Sequence, residues 1–348
     1  SIPMGDTYVS SLSFSPDGKL LALGCTDHVI RLWDVEQQQQ LTEPSILHGA
    51  VNSIAFSPDG QTLATGSGKE GIHLWEVPSG RLLRGPLEPS KDGGRQDSQT
   101  SATYLNFSPD GKLLATGGSR ASTAARVFSV PDGRRVKAFM GHRGPVTTAG
   151  FSNDGNRLIT GSRDRSVKIW FYPSGKLLRE WVLPNEVGTA AFSPDGKLAA
   201  ASSLGSVVKL WDIVTGKELA SFTQRGGRPR FAFSQGGSLL AVSLGQELRI
   251  VDVASLKTIH SLAAPAGTRS WRTPRFSPDN QTLAAAANNE VHLFDPATGE
   301  LRSVITQGHV GLVHCIRFSP QGKILATAGA DSTVLLWDLK KILASRRE

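Results

Sequence analysis

An all-β domain assembled from eight copies of one four-stranded unit is the fold class this sequence predicts, and three observations predict it. An aromatic residue followed by Ser-Pro-Asp-Gly, or a near copy, begins at Phe14, Phe56, Phe107, Phe151, Phe192, Phe233, Phe276 and Phe318. Successive copies stand 42, 51, 44, 41, 41, 43 and 42 residues apart, a period that suits repeated four-stranded blades. A second anchor follows each first one by 18 to 21 residues, at Trp33, Trp75, Phe128, Trp170, Trp211, Val251, Phe294 and Trp337. Finally, 37 glycines and 19 prolines among 348 residues point to many short strands joined by tight turns.

Each repeat reads as an antiparallel meander of strands a, b, c and d. Strand a alternates apolar and polar residues, as in Val51-Asn52-Ser53-Ile54-Ala55-Phe56. The Pro-Asp-Gly that follows suits a hairpin, because Pro presets φ and Gly accepts the positive φ of the return. Strand b is rich in Ala, Gly and Thr, which fits the crowded middle of a blade. Strand c, for example Val167-Lys168-Ile169-Trp170, ends on a bulky ring. Turns such as Pro173-Ser174-Gly175-Lys176 lead to strand d, Leu177 to Val182 in blade four. One such sheet cannot bury both faces, so neighbours must stack, and a ring leaves no large face exposed. The sequence therefore predicts an eight-bladed β-propeller of four-stranded antiparallel blades around a central channel, one domain over residues 1–348. A start at Ser1 without methionine reads as a piece of a longer multidomain chain.

Composition narrows the functional classes. Hydrophobic residues at 39% and charged residues at 20% are ordinary for a globular chain with a sizeable core. No apolar run reaches the roughly 18 to 20 residues that span a bilayer, and the first residues lack the pattern of a signal peptide. No membrane association is expected. Cys25 and Cys315 show no metal-ligand spacing and fall inside apolar strand patterns, so both are expected as buried free thiols in a reducing, cytoplasmic setting. The net charge of +8 favours acidic partners.

No motif for chemistry emerges. The chain has no phosphate loop, no His-Glu-x-x-His and no Gly-x-Ser-x-Gly turn. Its Asp-Gly pairs lack the alternating ligands of a calcium loop, and a hairpin accounts for them. His73 and His292 sit at corresponding places in alternating strands, where a half-buried histidine outweighs a metal ligand. Neither cofactor nor metal is expected. An enzyme would need residues from different blades meeting at the axis, and that reading stays as the second alternative.

The phased repeats resemble the WD40 repeat family over essentially the whole chain, in a style similar to arrays on bacterial and fungal multidomain signalling proteins. Trp33-Asp34, Trp211-Asp212 and Trp337-Asp338 match its name-giving dipeptide. Gly141-His142 and Gly308-His309 stand where the family places its Gly-His pair, ahead of Phe151 and Phe318. The resemblance implies a buried structural relay of His, Ser/Thr, Asp and Trp. Blade four matches it with His142, Thr160, Asp164 and Trp170, and blade eight with His309, Thr327, Asp331 and Trp337. Blade two has His48 near the right place but Lys69 in the Asp position. Blades five to seven have lost most of the set and are expected to be looser.

The resemblance also implies that the d–a and b–c connections share one face at the channel mouth, where similar proteins take peptides. Arg143, Arg163 and Arg165 from blade four fall there. So do Arg225, Arg228 and Arg230 ahead of blade six, and Arg269, Trp271 and Arg272 ahead of blade seven. Tyr8 and His314 occupy strand-a positions on the same face. These residues are expected to form a basic, partly aromatic patch for an acidic or phosphorylated peptide or protein segment. A solvated rim is the plain alternative, and a nucleic-acid-binding propeller is the alternative function, although no aromatic-rich strand platform accompanies the charge. A polar insertion, residues 88–99, lengthens the loop into blade three, and mobility explains such a loop more simply than partner contact does. The chain is expected as a monomer or as part of a larger protein. Closure of blade eight rests on residues 1–4 or 340–348, the latter of helix-forming composition.

Overall fold

A computed structural model of the chain describes residues 2, 4, 7–41, 45–46, 50–67, 71–87, 104–117, 122–205, 207–223 and 228–344. It is an all-β, eight-bladed β-propeller whose strands run through eight antiparallel sheets in sequence order. Contacts divide it into two compact units, Ser13–Phe192 and Ser1–Leu12 with Ser193–Glu348.

In the first unit, blade four shows the meander in full: Val146–Phe151, Arg157–Ser162, Ser166–Phe171 and Lys176–Val182. Strand b pairs on both sides, Phe151 with Leu158 and Leu158 with Trp170, so the anchor aromatics bracket one buried leucine. Blade two (Val51–Phe56, Thr62–Ser67, Gly71–Glu76, Leu82–Arg84) and blade three (Tyr104–Phe107, Leu113–Gly117, Ala125–Ser129, Arg135–Phe139) repeat this order. Apolar side chains of consecutive blades merge, as where Val127 and Phe139 of blade three meet Val146, Leu158 and Trp170 of blade four. Blade one departs from the pattern, because its outer strand is split into Gln39–Gln40 and Ser45–Ile46.

The a–b hairpins show why serine opens the Ser-Pro-Asp-Gly signature. Ser15 Oγ donates to Asp17 Oδ1 (2.6 Å) and accepts from the Leu20 amide (2.9 Å), tying both arms of the turn together. Ser57 and Ser108 do the same with Asp59 and Asp110. Gly18 sits at φ 69°, as the turn requires. In blade seven Asn280 takes that conformation at φ 58°.

In the second unit, blade six has Arg230–Phe233, Leu239–Leu244, Glu247–Asp252 and Lys257–Ala263. Blade seven has Trp271–Phe276, Leu283–Ala287, Glu290–Phe294 and Leu301–Ile305. The looseness expected of these blades is not what their cores show: Leu240, Leu248 and Leu283 to Ala286 are fully buried. Large rings and tight alanine packing take over where the relay is missing. Blade eight has three strands among the described residues, Val313–Phe318, Ile324–Gly329 and Val334–Asp338. At its outer edge the Ile2 amide donates to the Val334 carbonyl (2.9 Å), a single antiparallel bridge. The chain continues into a short helix, Leu339–Ala344, whose Leu339, Ile342 and Leu343 pack on the cluster shared by blades seven and eight. Both cysteines are buried and unbridged, and burial pushes the Cys25 thiol up to about 12. No helix among the described residues is long and apolar enough to cross a membrane.

Candidate partner-binding face

The loop face of blade four is built on a buried polar network. His142 Nε2 lies 2.8 Å from Thr160 Oγ1, which also accepts from Trp170 Nε1 at 2.9 Å. On the other side of the ring, Nδ1 lies 2.8 Å from Ser166 Oγ and 3.1 Å from Asp164 Oδ2. The Ser166 hydroxyl donates to Asp164 Oδ1 (2.6 Å), so Nδ1 carries the proton, and Nε2 accepts from the Thr160 hydroxyl. Burial lowers the pKa of His142 despite the neighbouring Asp164, which keeps the imidazole neutral. Burial opposes the charge on Asp164, but hydrogen bonds from Ser166 and from the Arg143 and Ser166 amides outweigh it and hold the carboxyl at about 2. The network is a neutral histidine clamped by an ionised aspartate, a brace with every donor matched.

Blade eight carries the same arrangement. His309 Nε2 lies 2.8 Å from Thr327 Oγ1, Trp337 Nε1 donates to that oxygen (2.8 Å), and Thr333 takes the part of Ser166. Asp331 accepts from the Val310 and Gly311 amides (2.6 and 3.1 Å), and its carboxyl lies well below the usual range, hydrogen bonds outweighing burial. Ser166 and Thr333 are the members that sequence reasoning missed; a hydroxyl two residues beyond the turn aspartate is their signal. In blade two Trp75 Nε1 donates to Thr65 (2.9 Å), while His48 and Lys69 lie outside the described residues.

These braces press the d–a loop onto the b–c turn. The Arg143 amide donates to Asp164 Oδ2 (2.7 Å), and the Arg163 amide donates to the Pro145 carbonyl. A Cβ on Gly144 would come within 2.8 Å of the Asp164 amide nitrogen, so only glycine fits there. Arg143, Arg163 and Arg165 are thereby brought together with their side chains exposed. Arg163 faces Glu186 at 3.7 Å, while Arg143 and Arg165 have no carboxylate partner among the described residues. Arg165 adopts φ 73°, the left-handed conformation that turns its side chain out of the b–c bend.

The second unit holds a separate group of arginines. Burial and the guanidiniums of Arg228, Arg272 and Arg317 push the pKa of Arg230 down; Arg230, Arg272 and Arg317 lie on strands a of three successive blades, and Arg228 stands just ahead of the first of them. Arg228, Arg269 and Arg272 are exposed, and none of the five arginines meets a carboxylate among the described residues. Arg317 was not singled out in the sequence; it stands directly before an anchor aromatic, where Arg275 stands in blade seven. The Tyr8 ring stacks on His314 at 4.4 Å, with Arg272 close enough to act on its hydroxyl. His314 Nε2 in turn lies 2.5 Å from the Val9 carbonyl.

One expected surface residue is corrected. Trp271 is only 2% exposed: its ring packs edge-on to His292 (5.2 Å) and Phe294 (5.6 Å), and its Nε1 donates to the Leu262 carbonyl. Strand a of blade seven begins at Trp271 itself, so the side chain enters the core and offers nothing to a partner. Arg225 and the 88–99 loop lie outside the described residues. His73 and His292 are buried in their strands, and His292 Nε2 lies 3.0 Å from Glu290. Among the described residues no group of His, Cys, Asp and Glu is gathered closely enough to hold a metal ion.

The family model of the WD domain, G-beta repeat, matches residues 4–34, 41–76, 133–170, 175–212 and 299–338, more than half of the sequence. The chain belongs to the WD40 repeat family. Among curated WD40-matching relatives, the serine-threonine kinase receptor-associated protein of Rattus norvegicus is 33% identical over 100 residues, 28% of this chain and 27% of that protein. Protein tipD of Dictyostelium discoideum is 26% identical over 252 residues, 68% of this chain and 40% of that one. Telomerase protein component 1 of Rattus norvegicus is 30% identical over 355 residues, 95% of this chain but 13% of that protein. The WD40 chain thus spans well under half the length of these relatives. The crystal structure of the computationally designed Ika8 protein superposes with a TM-score of 0.80 at 20% identity, over 97% of this chain and 98% of that one, and shows the same fold.

Proposed function

We propose that this WD40 propeller is a non-catalytic interaction scaffold that binds acidic or phosphorylated segments of partner proteins through its arginine-bearing loops. The observation that carries this reading is the set of exposed guanidiniums that have no carboxylate partner among the described residues. Here Arg228, Arg272 and Arg317 lie close enough to Arg230 to lower its pKa together with burial, an arrangement that favours an incoming polyanion. The relay beneath blade four does for Arg143, Arg163 and Arg165 what a scaffold must do: it fixes the loops before a partner arrives. The relatives named as a kinase receptor-associated protein and as a telomerase protein component are consistent with scaffolds that assemble with other macromolecules. Two buried free thiols suit a cytoplasmic protein.

Arg163→Glu and Arg228→Glu, made singly and together, test the reading against immobilised acidic and phosphorylated peptides. Each reversal is expected to weaken capture by about tenfold and the double variant to abolish it, with wild-type capture falling as salt rises. Capture unchanged in the double variant overturns the proposal. Salt-sensitive retention on RNA or DNA that exceeds peptide capture, and that the same reversals remove, moves the site to a nucleic-acid partner.

A further inference from the structure

Away from the loop face, the hairpins and c–d turns of blades one and two line an open cleft of about 880 Å³. That volume falls within the roughly 300–1,000 Å³ of small-ligand and peptide clefts. Leu20, Leu41, Val77 and Pro78 supply apolar walls. Asp17, Asp34 and Asp59 stand around them, with Lys19 the one cation among the described residues of the lining. Hydrogen bonds from Ser15 and Ser57 lower the pKa of Asp17 and of Asp59, so both rim groups are ionised at neutral pH.

The corresponding cleft between blades three and four shows what such a space is shaped to hold. Val77 and Tyr172 occupy the same place in their repeats, each 21 residues beyond its anchor, Phe56 or Phe151. The Val77 amide bonds the Gln61 carbonyl as the Tyr172 amide bonds that of Asn156. Tyr172 fills its cleft: the ring meets Phe151 edge-on at 5.4 Å and Phe139 at 6.3 Å, and its hydroxyl reaches the field of Asp110, the counterpart of Asp17. Lys137 of the outer strand crosses the same cleft to donate to the Pro173 carbonyl (2.8 Å). Its counterpart in blade one is Leu41, since Lys137 lies opposite Val127, just before Phe128, and Leu41 bonds Leu32, just before Trp33. The cleft between blades three and four therefore carries Tyr172 and Lys137 where the cleft between blades one and two has Val77 and Leu41.

We propose that the cleft between blades one and two is a docking site for a partner segment in which an aromatic residue is flanked by lysine or arginine. The aromatic side chain enters between Leu41 and Val77 as Tyr172 enters its own cleft. The flanking cations meet Asp17, Asp34 and Asp59, on a protein that is otherwise strongly basic. This site is independent of the arginine face and has the opposite charge preference, so either can fail without the other.

The test uses the full chain and a fluorescein-labelled peptide, Ser-Lys-Tyr-Lys-Ser, read by fluorescence anisotropy. Saturable binding is expected, about tenfold tighter than that of the peptide with glutamates for its lysines or alanine for its tyrosine. Val77→Tyr, which refills the cleft from within, is expected to abolish binding without lowering Tm. Asp17→Lys with Asp59→Lys, both on exposed turns, is expected to weaken it by about tenfold and to remove its salt dependence. The proposal is overturned if the lysine peptide does not saturate, if the glutamate peptide binds equally well, or if both the Tyr and the Lys variants bind as wild type does. Should Val77→Tyr fail to fold, the Asp17/Asp59 variant alone decides the matter.

Discussion

Blades four and seven have the same strand order and nearly the same register, yet different forces hold their centres. In blade four, Thr160 lies in strand b under Trp170, and one hydroxyl serves both the indole and His142. In blade seven, Ala285 occupies that place, and Trp271 packs edge-on against His292 and Phe294 to fill the volume. The first solution uses directional bonds and fails as a unit when one member is lost. The second uses contact area and tolerates any change that conserves volume. A propeller can mix the two because each blade needs only a filled centre and matched polar groups. The arginine-bearing loops of blade four sit on the directional kind, which fixes loop conformation as well as stability.

Substitutions that expose this difference rank by size. Trp271→Ala should be the most damaging, costing about 3–5 kcal/mol for a large ring removed from a closed core. Urea unfolding followed by far-ultraviolet circular dichroism gives the value, and a cost under 1 kcal/mol would mean that the ring does not support blade seven. Thr160→Val comes next. It keeps the shape of the side chain but strands two buried nitrogens, and about 2–3 kcal/mol is expected. The same exchange should also weaken capture of acidic peptides by the blade-four loops, a loss that Trp271→Ala, if it stays folded, should not share.

The subtlest contrast is with pH. His142 and His309 have folded pKa values lowered by burial from 6.5, so the stability they contribute is complete above 6.5 and declines as pH falls toward their folded values. Asp164 and Asp331 are also lowered, from 3.8, Asp164 to about 2, and their contribution is complete above 3.8 and lost as pH falls further. His292 of blade seven is lowered by burial too, so it joins the first stage. Asp295 of blade seven is lowered as well, hydrogen bonds from Arg302 and the Ala297 amide outweighing burial, so the second stage is shared with blades that lack the relay. Asp164→Asn should flatten stability below pH 3.8 relative to wild type and leave the higher-pH stage in place. An unchanged low-pH slope in denaturant titrations would show that the aspartate has no such part.

Much of this architecture was legible because the repeats repeat. Eight phased anchors located strands a and c even across residues 213–298, where the family model finds no match. The relay of blade four could be set out by resemblance, since its members lie at fixed offsets from one anchor. Trp271 was misplaced because its arginine neighbours made the segment look like a loop. Its offset held the answer: Val9, Val51, Val146, Val187 and Val313 stand five residues before their anchors, and all are buried. Blade one shows the reverse case. Leu23 holds the position of Thr160, and the buried Nε1 of Trp33 accordingly finds no hydrogen-bond partner among the described residues. The grouping of Arg230 with Arg317, and the open cleft beside Val77, depend on side chains from different repeats. A pattern read along one strand does not register such meetings.

The bridge from Ile2 to Val334 and the bond from His314 to Val9, residues 305 apart, also set a timetable. Ile2 and Val9 are synthesised before the strands they meet, Val334–Asp338 and Val313–Phe318 of blade eight. Blades two to four can assemble from neighbours already synthesised, whereas Ile2 and Val9 must wait for blade eight. Such distant pairings form slowly and late, and until then the outer edge of blade eight is uncovered. Deleting blade eight should therefore open the strand Val9–Phe14 to proteolysis while blades two to four stay protected.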